Sequence, residues 1–153
     1  LKFPEIIFEL GRSVVGPAGL IICEVLALKN GDGKNDKNFI VVDAAMNDLM
    51  RPALYSAYHE IFSITNFQNS KSNMSWDIVG PICETGDWLG KDRYIRTKPG
   101  ERLAIASVGA YGSSMASNYN SRTRPVEVLI EESGYVKVLK RRESFDDMIK
   151  NEV

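Results

Sequence analysis

Apolar residues occur along this chain in short runs separated by polar, glycine-rich segments, a pattern typical of β-rich proteins. Residues 5–8 form a brief apolar run that suits a buried strand, and residues 20–29 and 38–46 are longer runs rich in branched side chains. Residues 30–38, which connect the two longer runs, are polar and contain two glycines. They therefore predict a surface loop.

The middle of the chain predicts one short helix and one further strand. Residues 47–62 predict the helix, with Pro52 at its first position. Residues 64–76 are polar and predict a connection. A strand is then expected to begin at Trp76 and to end in residues 80–90, GPICETGDWLG, which have neither strand nor helix periodicity.

The last third of the chain predicts a strand, a hairpin and a terminal helix. Residues 98–112 contain a Pro-Gly turn, a strand pattern and a glycine-flanked tyrosine. Apolar and polar residues alternate on both sides of residues 132–134, which predicts a β-hairpin. Ser144 and Asp147 match a capping box, so residues 145–152 predict a short helix. With six or seven strands in all, the fold class is mainly β, a β-barrel or sandwich domain with a few short helices.

Composition limits the possible functions. The 153 residues suffice for one domain, and 44% hydrophobic with 25% charged residues is ordinary for a globular protein. A formal net charge of −1 gives no field that would attract nucleic acid or an anionic membrane. Two cysteines and one histidine suit neither a disulfide scaffold nor a metal site, so we expect a reducing, cytoplasmic setting. Because the chain begins at Leu1 without methionine, we expect it to be part of a longer polypeptide.

Cys83 is the first candidate for chemistry. A free cysteine is commonly a small buried hydrophobic residue, and this alternative stays open for Cys83. Its neighbours favour a second interpretation, since Glu84 follows directly and Gly86 and Asp87 come shortly after. A thiol with a pKa of about 8.5 can deliver a proton at neutral pH, and glycine lets the backbone approach a ligand. The loop then presents the thiol and the Glu84 carboxylate together.

Arg51, Tyr55 and Tyr111 are the next candidates. On a helix, Arg51 and Tyr55 lie at i and i+4 and suit the capture of a carboxylate, although an exposed arginine packed on a ring is the alternative. Tyr111 lies between Gly109 and Gly112, where backbone N–H groups and the hydroxyl are suited to a phosphate; an ordinary turn is the alternative.

Three further features have simpler interpretations or weaker signals. Residues 9–12, Glu-Leu-Gly-Arg, follow the first predicted strand, and a glycine turn after a strand is where α/β barrels bind phosphate. His59 is expected to be a hydrogen-bonded structural histidine. A basic run near the hairpin is expected to form a solvated face: Lys137, Lys140, Arg141 and Arg142.

In combination, five segments resemble the diaminopimelate decarboxylase family, pyridoxal-phosphate enzymes of the alanine racemase-like fold type III. The segments are residues 9–19, 38–55, 77–93, 107–122 and 139–149. The pairing of CETGD with MNDLMRPALY separates this resemblance from one to ornithine and arginine decarboxylases.

The resemblance implies a (β/α)8 barrel followed by a C-terminal β-barrel domain. Residues 1–12 would be the end of the last barrel strand with its phosphate-side turn, and residues 13–153 would be the C-terminal domain. The implied reaction is the decarboxylation of meso-2,6-diaminopimelate to L-lysine, the last step of lysine biosynthesis, in a homodimer. The cofactor would be pyridoxal 5'-phosphate, which supplies the electron sink for the carbanion. Its Schiff-base lysine would lie in the missing barrel, so the fragment alone is expected to be inactive.

The resemblance also implies roles for individual residues. A cofactor-phosphate contact is implied for four consecutive residues, of which the last also reaches the substrate: Glu9, Leu10, Gly11 and Arg12. Arg51 and Tyr55 would hold a substrate carboxylate, and Tyr111 would contact both cofactor and substrate. Cys83 would donate a proton and Glu84 would recognise the substrate, both in the partner subunit's active site.

Two alternatives stay open. One is a related decarboxylase acting on ornithine, arginine or a polyamine precursor. The other is a free-standing β-barrel binding module without catalysis.

Overall fold

A computed structural model describes residues 3–33, 36–65 and 71–153 of the protein. Its main body is a six-stranded sheet with the spatial order β3-β6-β1-β2-β4-β5. Neighbouring strands are antiparallel, except that β2 and β4 are parallel. The strands are β1 (Leu20–Lys29), β2 (Phe39–Val42), β3 (Ile61–Ser63), β4 (Lys71–Val79), β5 (Trp88–Ile95) and β6 (Arg102–Ala106).

The sheet curls until its two edge strands, β3 and β5, contact each other. Gly90 of β5 permits this contact, because a Cβ at this position would lie 2.8 Å from Ile61 Cδ1 of β3. The result is a barrel-like sheet, which confirms the predicted mainly β class.

Apolar side chains fill the interior of this sheet. In β1, Cys23 and Val25 are buried two residues apart while Leu20 and Ile22 are exposed, as the twofold period of a strand requires. The fully buried aliphatic side chains come from five strands and the segment before the helix: Val25, Ile40, Val42, Leu49, Ile78, Leu89, Leu103 and Ile105.

The structure confirms the hairpin and the capped helix that the sequence predicts for the C-terminal part of the chain. β7 (Glu127–Ile130) and β8 (Val136–Lys140) form a separate antiparallel hairpin, followed by the helix α2 (Phe145–Ile149). The Ser144 hydroxyl accepts the Asp147 N–H at 3.2 Å, and the Asp147 carboxylate accepts the Ser144 N–H at 2.8 Å. This is the predicted capping box. Within the described ranges, helices are too short or too polar to cross a bilayer.

Three predictions about local structure are wrong. Residues 5–8 are exposed and form no strand, since no described segment supplies hydrogen bonds to their backbone. Helix α1 (Arg51–Tyr55) begins one residue earlier than predicted, so Pro52 takes its second position. The polar segment 64–76 is not simply a connection, because β4 already begins at Lys71 and pairs there with β5. Pairing overrides the low strand propensity of this polar segment.

Candidate active site

Helix α1 places a guanidinium between two tyrosine rings. The Arg51 guanidinium carbon lies 5.4 Å from the centre of the Tyr55 ring and 5.5 Å from the centre of the Tyr111 ring. Both distances are those of cation–π contacts. Arg51 and Tyr55 meet because they are one helical turn apart, as the sequence predicts. The structure therefore brings three of the candidate residues together.

Tyr111 reaches this group from a tight turn after β6. Its own φ is +62°, a left-handed conformation that is uncommon outside glycine. Two residues earlier, Gly109 packs so closely on the segment after Arg12 that a Cβ would lie 2.0 Å from the Val15 carbonyl oxygen. The Gly109 N–H also donates to the Gly16 carbonyl at 3.0 Å. The turn that carries Arg12 and the turn that carries Tyr111 are thus packed against each other.

His59 is buried, and only one of its two ring nitrogens has a hydrogen-bond partner among the described residues. Its side chain is 1% exposed, and Nδ1 lies 2.9 Å from the Ala106 carbonyl oxygen. Nε2 is buried without a partner among the described residues, so the prediction of a hydrogen-bonded structural histidine holds for only one ring nitrogen. Burial lowers the pKa of His59, and the positive charges of Arg51, Arg12 and Arg93 lower it further.

Arg12 and Arg51 each bring a positive charge to this site. Within the described part of the chain, neither Arg12 nor Arg51 forms an ion pair with a carboxylate. The Arg51 Nε is buried and has no hydrogen-bond partner there. A guanidinium without a carboxylate partner can bind an anionic ligand through its terminal N–H groups. The donor set therefore fits a phosphate or a carboxylate. Glu9, Leu10 and Gly11, just before Arg12, are exposed and have no regular structure.

Cys83 and Glu84 lie on an exposed loop between β4 and β5. Both side chains are exposed, and Cys83 is a free thiol. The alternative of a small buried cysteine is therefore wrong for Cys83. It describes the other cysteine, Cys23, which is 2% exposed and whose pKa is raised to about 12, chiefly by burial. Among the described residues, no hydrogen bond or ion pair joins Cys83 or Glu84 to Arg51 and its two tyrosines.

Asp87, which the sequence analysis did not single out, fastens this loop. Its buried carboxylate accepts the Met46 N–H at 2.7 Å through Oδ1 and the Ile82 N–H at 2.7 Å through Oδ2. Gly80 makes room for it, since a Cβ there would lie 2.5 Å from Asp87 Oδ2. A glycine and an aspartate seven residues apart in a loop were the sequence feature that could have indicated this role. The bond from Met46 to Asp87 could not be predicted, because Met46 is distant in sequence.

Tyr119 is the second residue that sequence reasoning missed. Its hydroxyl donates a hydrogen bond to Glu84 Oε2 at 3.2 Å. The bond to this carboxylate raises the pKa of Tyr119. The sequence feature that could have indicated Tyr119 is its position in a segment whose composition favours turns, residues 117–122, Ser-Asn-Tyr-Asn-Ser-Arg.

The basic run behaves as expected. All four side chains are exposed: Lys137, Lys140, Arg141 and Arg142. Lys140 pairs with Glu127 at 2.8 Å and Arg141 pairs with Asp147 at 2.5 Å, so the hairpin and α2 neutralise half of the run themselves.

Comparison with known families decides what kind of domain this is. A family model described as the pyridoxal-dependent decarboxylase C-terminal sheet domain matches residues 13–109, which is more than half of the chain. The chain belongs to this family. Pyridoxal phosphate is the cofactor of the family.

Two relatives illustrate how closely this decarboxylase sheet domain is matched. The diaminopimelate decarboxylase of Neisseria meningitidis serogroup B is 50% identical over 149 residues, which are 97% of this chain and 34% of that protein. The crystal structure of diaminopimelate decarboxylase from M. jannaschii in co-complex with L-lysine has a TM-score of 0.84 and 39% identity, over 99% of this chain and 33% of that chain. The chain thus spans about a third of the length of the relatives it matches.

A third comparison shows how far the fold extends beyond these relatives. The crystal structure of lysine/ornithine decarboxylase complexed with cadaverine from Vibrio vulnificus has a TM-score of 0.60 and 19% identity, over 72% of this chain and 29% of that chain. At this identity the likeness shows a shared fold for the decarboxylase sheet domain and nothing about substrate.

Proposed function

We propose that this chain is the C-terminal part of a diaminopimelate decarboxylase, which converts meso-2,6-diaminopimelate to L-lysine in the last step of lysine biosynthesis. Residues 1–12, of which 5–8 form no strand in this chain by itself, would then complete a preceding (β/α)8 barrel that supplies their pairing partner, and residues 13–153 form the C-terminal domain. The observation that carries the proposal is Arg51 beside the rings of Tyr55 and Tyr111, without a carboxylate partner among the described residues. The substrate comes from relatives that bear this enzyme's name, such as the one from Neisseria meningitidis serogroup B.

The residues of this chain would divide the work as follows. Arg51 and Tyr55 hold a substrate carboxylate by charge and hydrogen bonding, and Tyr111 contacts both substrate and cofactor. Arg12 contacts the cofactor phosphate and the substrate, together with the three residues before it: Glu9, Leu10 and Gly11. Pyridoxal phosphate, when bound, supplies the electron sink for the loss of CO2. Glu84 recognises the substrate.

Cys83 would act as the general acid that protonates the α-carbon. Its exposure on a loop that is held by Asp87 supports this role, because a proton donor must reach the ligand while keeping a defined position. We propose that Cys83 and Glu84 enter the active site of the partner subunit in a homodimer. Both side chains are exposed, so they are accessible to a second copy of the chain.

The same proposal places the enzyme in the cytoplasm. A free, exposed thiol that must remain reduced requires a reducing compartment.

The experiment that tests the proposal is a substrate comparison on a full-length protein that carries this chain. Decarboxylation of diaminopimelate is expected, with kcat/KM at least about a hundredfold above the values for ornithine, arginine and lysine. Preference for any of these three would replace the substrate assignment by the related decarboxylase. Absence of decarboxylation with all four substrates would support a binding module instead.

The 153-residue chain alone provides a second test. After incubation with pyridoxal phosphate, borohydride reduction and removal of unbound cofactor, it is expected to retain no stoichiometric pyridoxyl adduct at a single lysine, since the Schiff-base lysine is expected outside these residues. Formation of such an adduct would contradict the division at residue 12.

A further inference from the structure

Tyr119 forms a hydrogen bond with Glu84 to which the proposed function assigns no role. Its hydroxyl donates to Oε2 of Glu84 at 3.2 Å, across 35 residues of sequence. Oε1 of Glu84 accepts no hydrogen bond from a described residue. One oxygen of the carboxylate is therefore held by the protein, and the other is available to a ligand.

The turn that carries Tyr119 is strained. The two residues after it, Asn120 and Ser121, have φ values of 59° and 56°, the left-handed region that non-glycine residues rarely adopt. This conformation is energetically unfavourable for such residues and persists only where the surroundings impose it. Strain of this kind is commonly found at functional sites.

One local and one long-range hydrogen bond hold this conformation. The Asn118 amide donates to the Arg122 carbonyl at 3.0 Å and so bridges the turn. Arg122 itself donates to the Asp43 carbonyl at 2.7 Å, which ties the turn to the end of β2.

A buried asparagine anchors the other side of the turn. Asn47 is fully buried, and its amide donates to the Ser117 carbonyl at 3.2 Å. The Ser117 N–H returns a bond to the Asn47 carbonyl at 3.0 Å. The segment that leads into α1 and Arg51 therefore also fixes the position of Tyr119.

We propose that Tyr119 is a positioning residue that orients the Glu84 carboxylate toward the ammonium group at the far end of the amino-acid substrate. This inference rests on the proposed function. An exposed glutamate loses side-chain entropy when a ligand orders it. The Tyr119 hydroxyl reduces this loss, because it restrains the carboxylate before the substrate arrives.

The test is Tyr119→Phe in a full-length protein that carries this chain, since the ring stays and only the hydroxyl is lost. The KM for diaminopimelate is expected to rise about tenfold while kcat changes less than about twofold, the pattern of lost binding rather than lost chemistry. Tyr135→Phe, which removes a hydroxyl at the hairpin end, is the matched control and is expected to change neither constant. Equal constants for Tyr119→Phe and wild type would overturn the proposal.

A double-mutant cycle separates positioning of Glu84 from general structural damage. The readout is the dissociation constant of L-lysine, whose α-ammonium group corresponds to the end of the substrate that decarboxylation leaves intact, measured by calorimetry on the full-length holoenzyme. Tyr119→Phe is expected to weaken lysine binding in the wild-type background and to have no further effect in a Glu84→Ala background. Equal effects in both backgrounds would show that Tyr119 does not act through Glu84.

Failure of the proposed function has a different signature. A wild-type protein that does not decarboxylate diaminopimelate refutes the function before any variant is compared, and with it the substrate part of this inference. A wild-type protein that does so, with Tyr119→Phe indistinguishable from it, refutes only the role of Tyr119.

Discussion

The Asp87 carboxylate accepts the Met46 N–H at 2.7 Å, across 41 residues of sequence. Its second oxygen accepts the Ile82 N–H at 2.7 Å. Met46 lies just before the segment that leads to α1, and Ile82 lies just before Cys83. A single buried side chain therefore connects the strand end that leads to Arg51 with the loop that presents the thiol.

We predict that Asp87→Asn lowers the free energy of unfolding by about 1–3 kcal/mol. An amide has only one acceptor oxygen, so its NH2 group would face one of the two backbone N–H groups and leave a buried donor unsatisfied. Urea unfolding of the chain measures the change. Asp32→Asn, in the exposed loop before β2, is the control and is expected to stay within about 0.5 kcal/mol. A similar stability for both variants would contradict the fastening role of Asp87.

Arg51→Lys is expected to lower kcat/KM for diaminopimelate at least about tenfold in a full-length protein. Lysine keeps the charge but loses the planar group that stacks between Tyr55 and Tyr111 and that binds a carboxylate through two N–H groups. Steady-state kinetics provide the measurement. Arg96→Lys, at an exposed position after β5, is the matched control. If both variants keep wild-type kinetics, Arg51 does not bind the substrate.

The two cysteines are expected to differ sharply in reactivity. Cys23 is buried, and its thiol stays protonated at pH 8 because its pKa is raised to about 12. Cys83 is exposed and therefore accessible to a reagent. Titration with a chromogenic disulfide reagent should therefore give one fast equivalent in the folded chain and two after unfolding. Cys83→Ser should remove the fast equivalent, and Cys23→Ala should retain it. Two fast equivalents in the folded chain would show that Cys23 is accessible.

His59 is expected to make the free energy of unfolding depend on pH. Its pKa is lowered in the folded state, so the unfolded chain binds a proton more readily. The stability contribution is therefore present above the unfolded pKa of about 6.5 and is lost as the pH falls below it. His59 is the single histidine of the sequence, so no other imidazole contributes.

The matching experiment compares urea unfolding of wild type and His59→Asn between pH 7.5 and pH 5. The asparagine amide preserves a donor toward the Ala106 carbonyl but does not titrate. Wild type is expected to lose stability relative to the variant as the pH falls. Asp48, whose pKa is raised by burial, is present in both proteins and cancels in the comparison. Parallel pH profiles would exclude proton binding by His59 as the cause.

Local patterns predicted much of the fold. The hairpin of β7 and β8, the capping box at Ser144 and the contact between Arg51 and Tyr55 each depend on residues close in sequence. Propensity and spacing decide such features, so the chain alone reveals them. The prediction of a strand at residues 5–8 was wrong because a strand also requires a pairing partner, which local sequence does not reveal.

Long-range partners were beyond the reach of sequence reasoning. Tyr119 meets Glu84 across 35 residues, and Asn47 meets Ser117 across 70. The start of β4 at Lys71 likewise depends on pairing with β5 rather than on its own polar composition. Each of these features becomes visible only when the sheet order brings distant segments together.

The pairing of β1 with β6 has a consequence for how this protein is made. The Cys23 thiol meets the Leu103 carbonyl 80 residues further along the chain. During synthesis, the apolar β1 leaves the ribosome well before the strand that completes its ladder has been translated. Its unpaired edge must stay out of reach of neighbouring nascent chains for that interval, and folding of this domain is therefore slow and aggregation-sensitive compared with a helical domain of equal length.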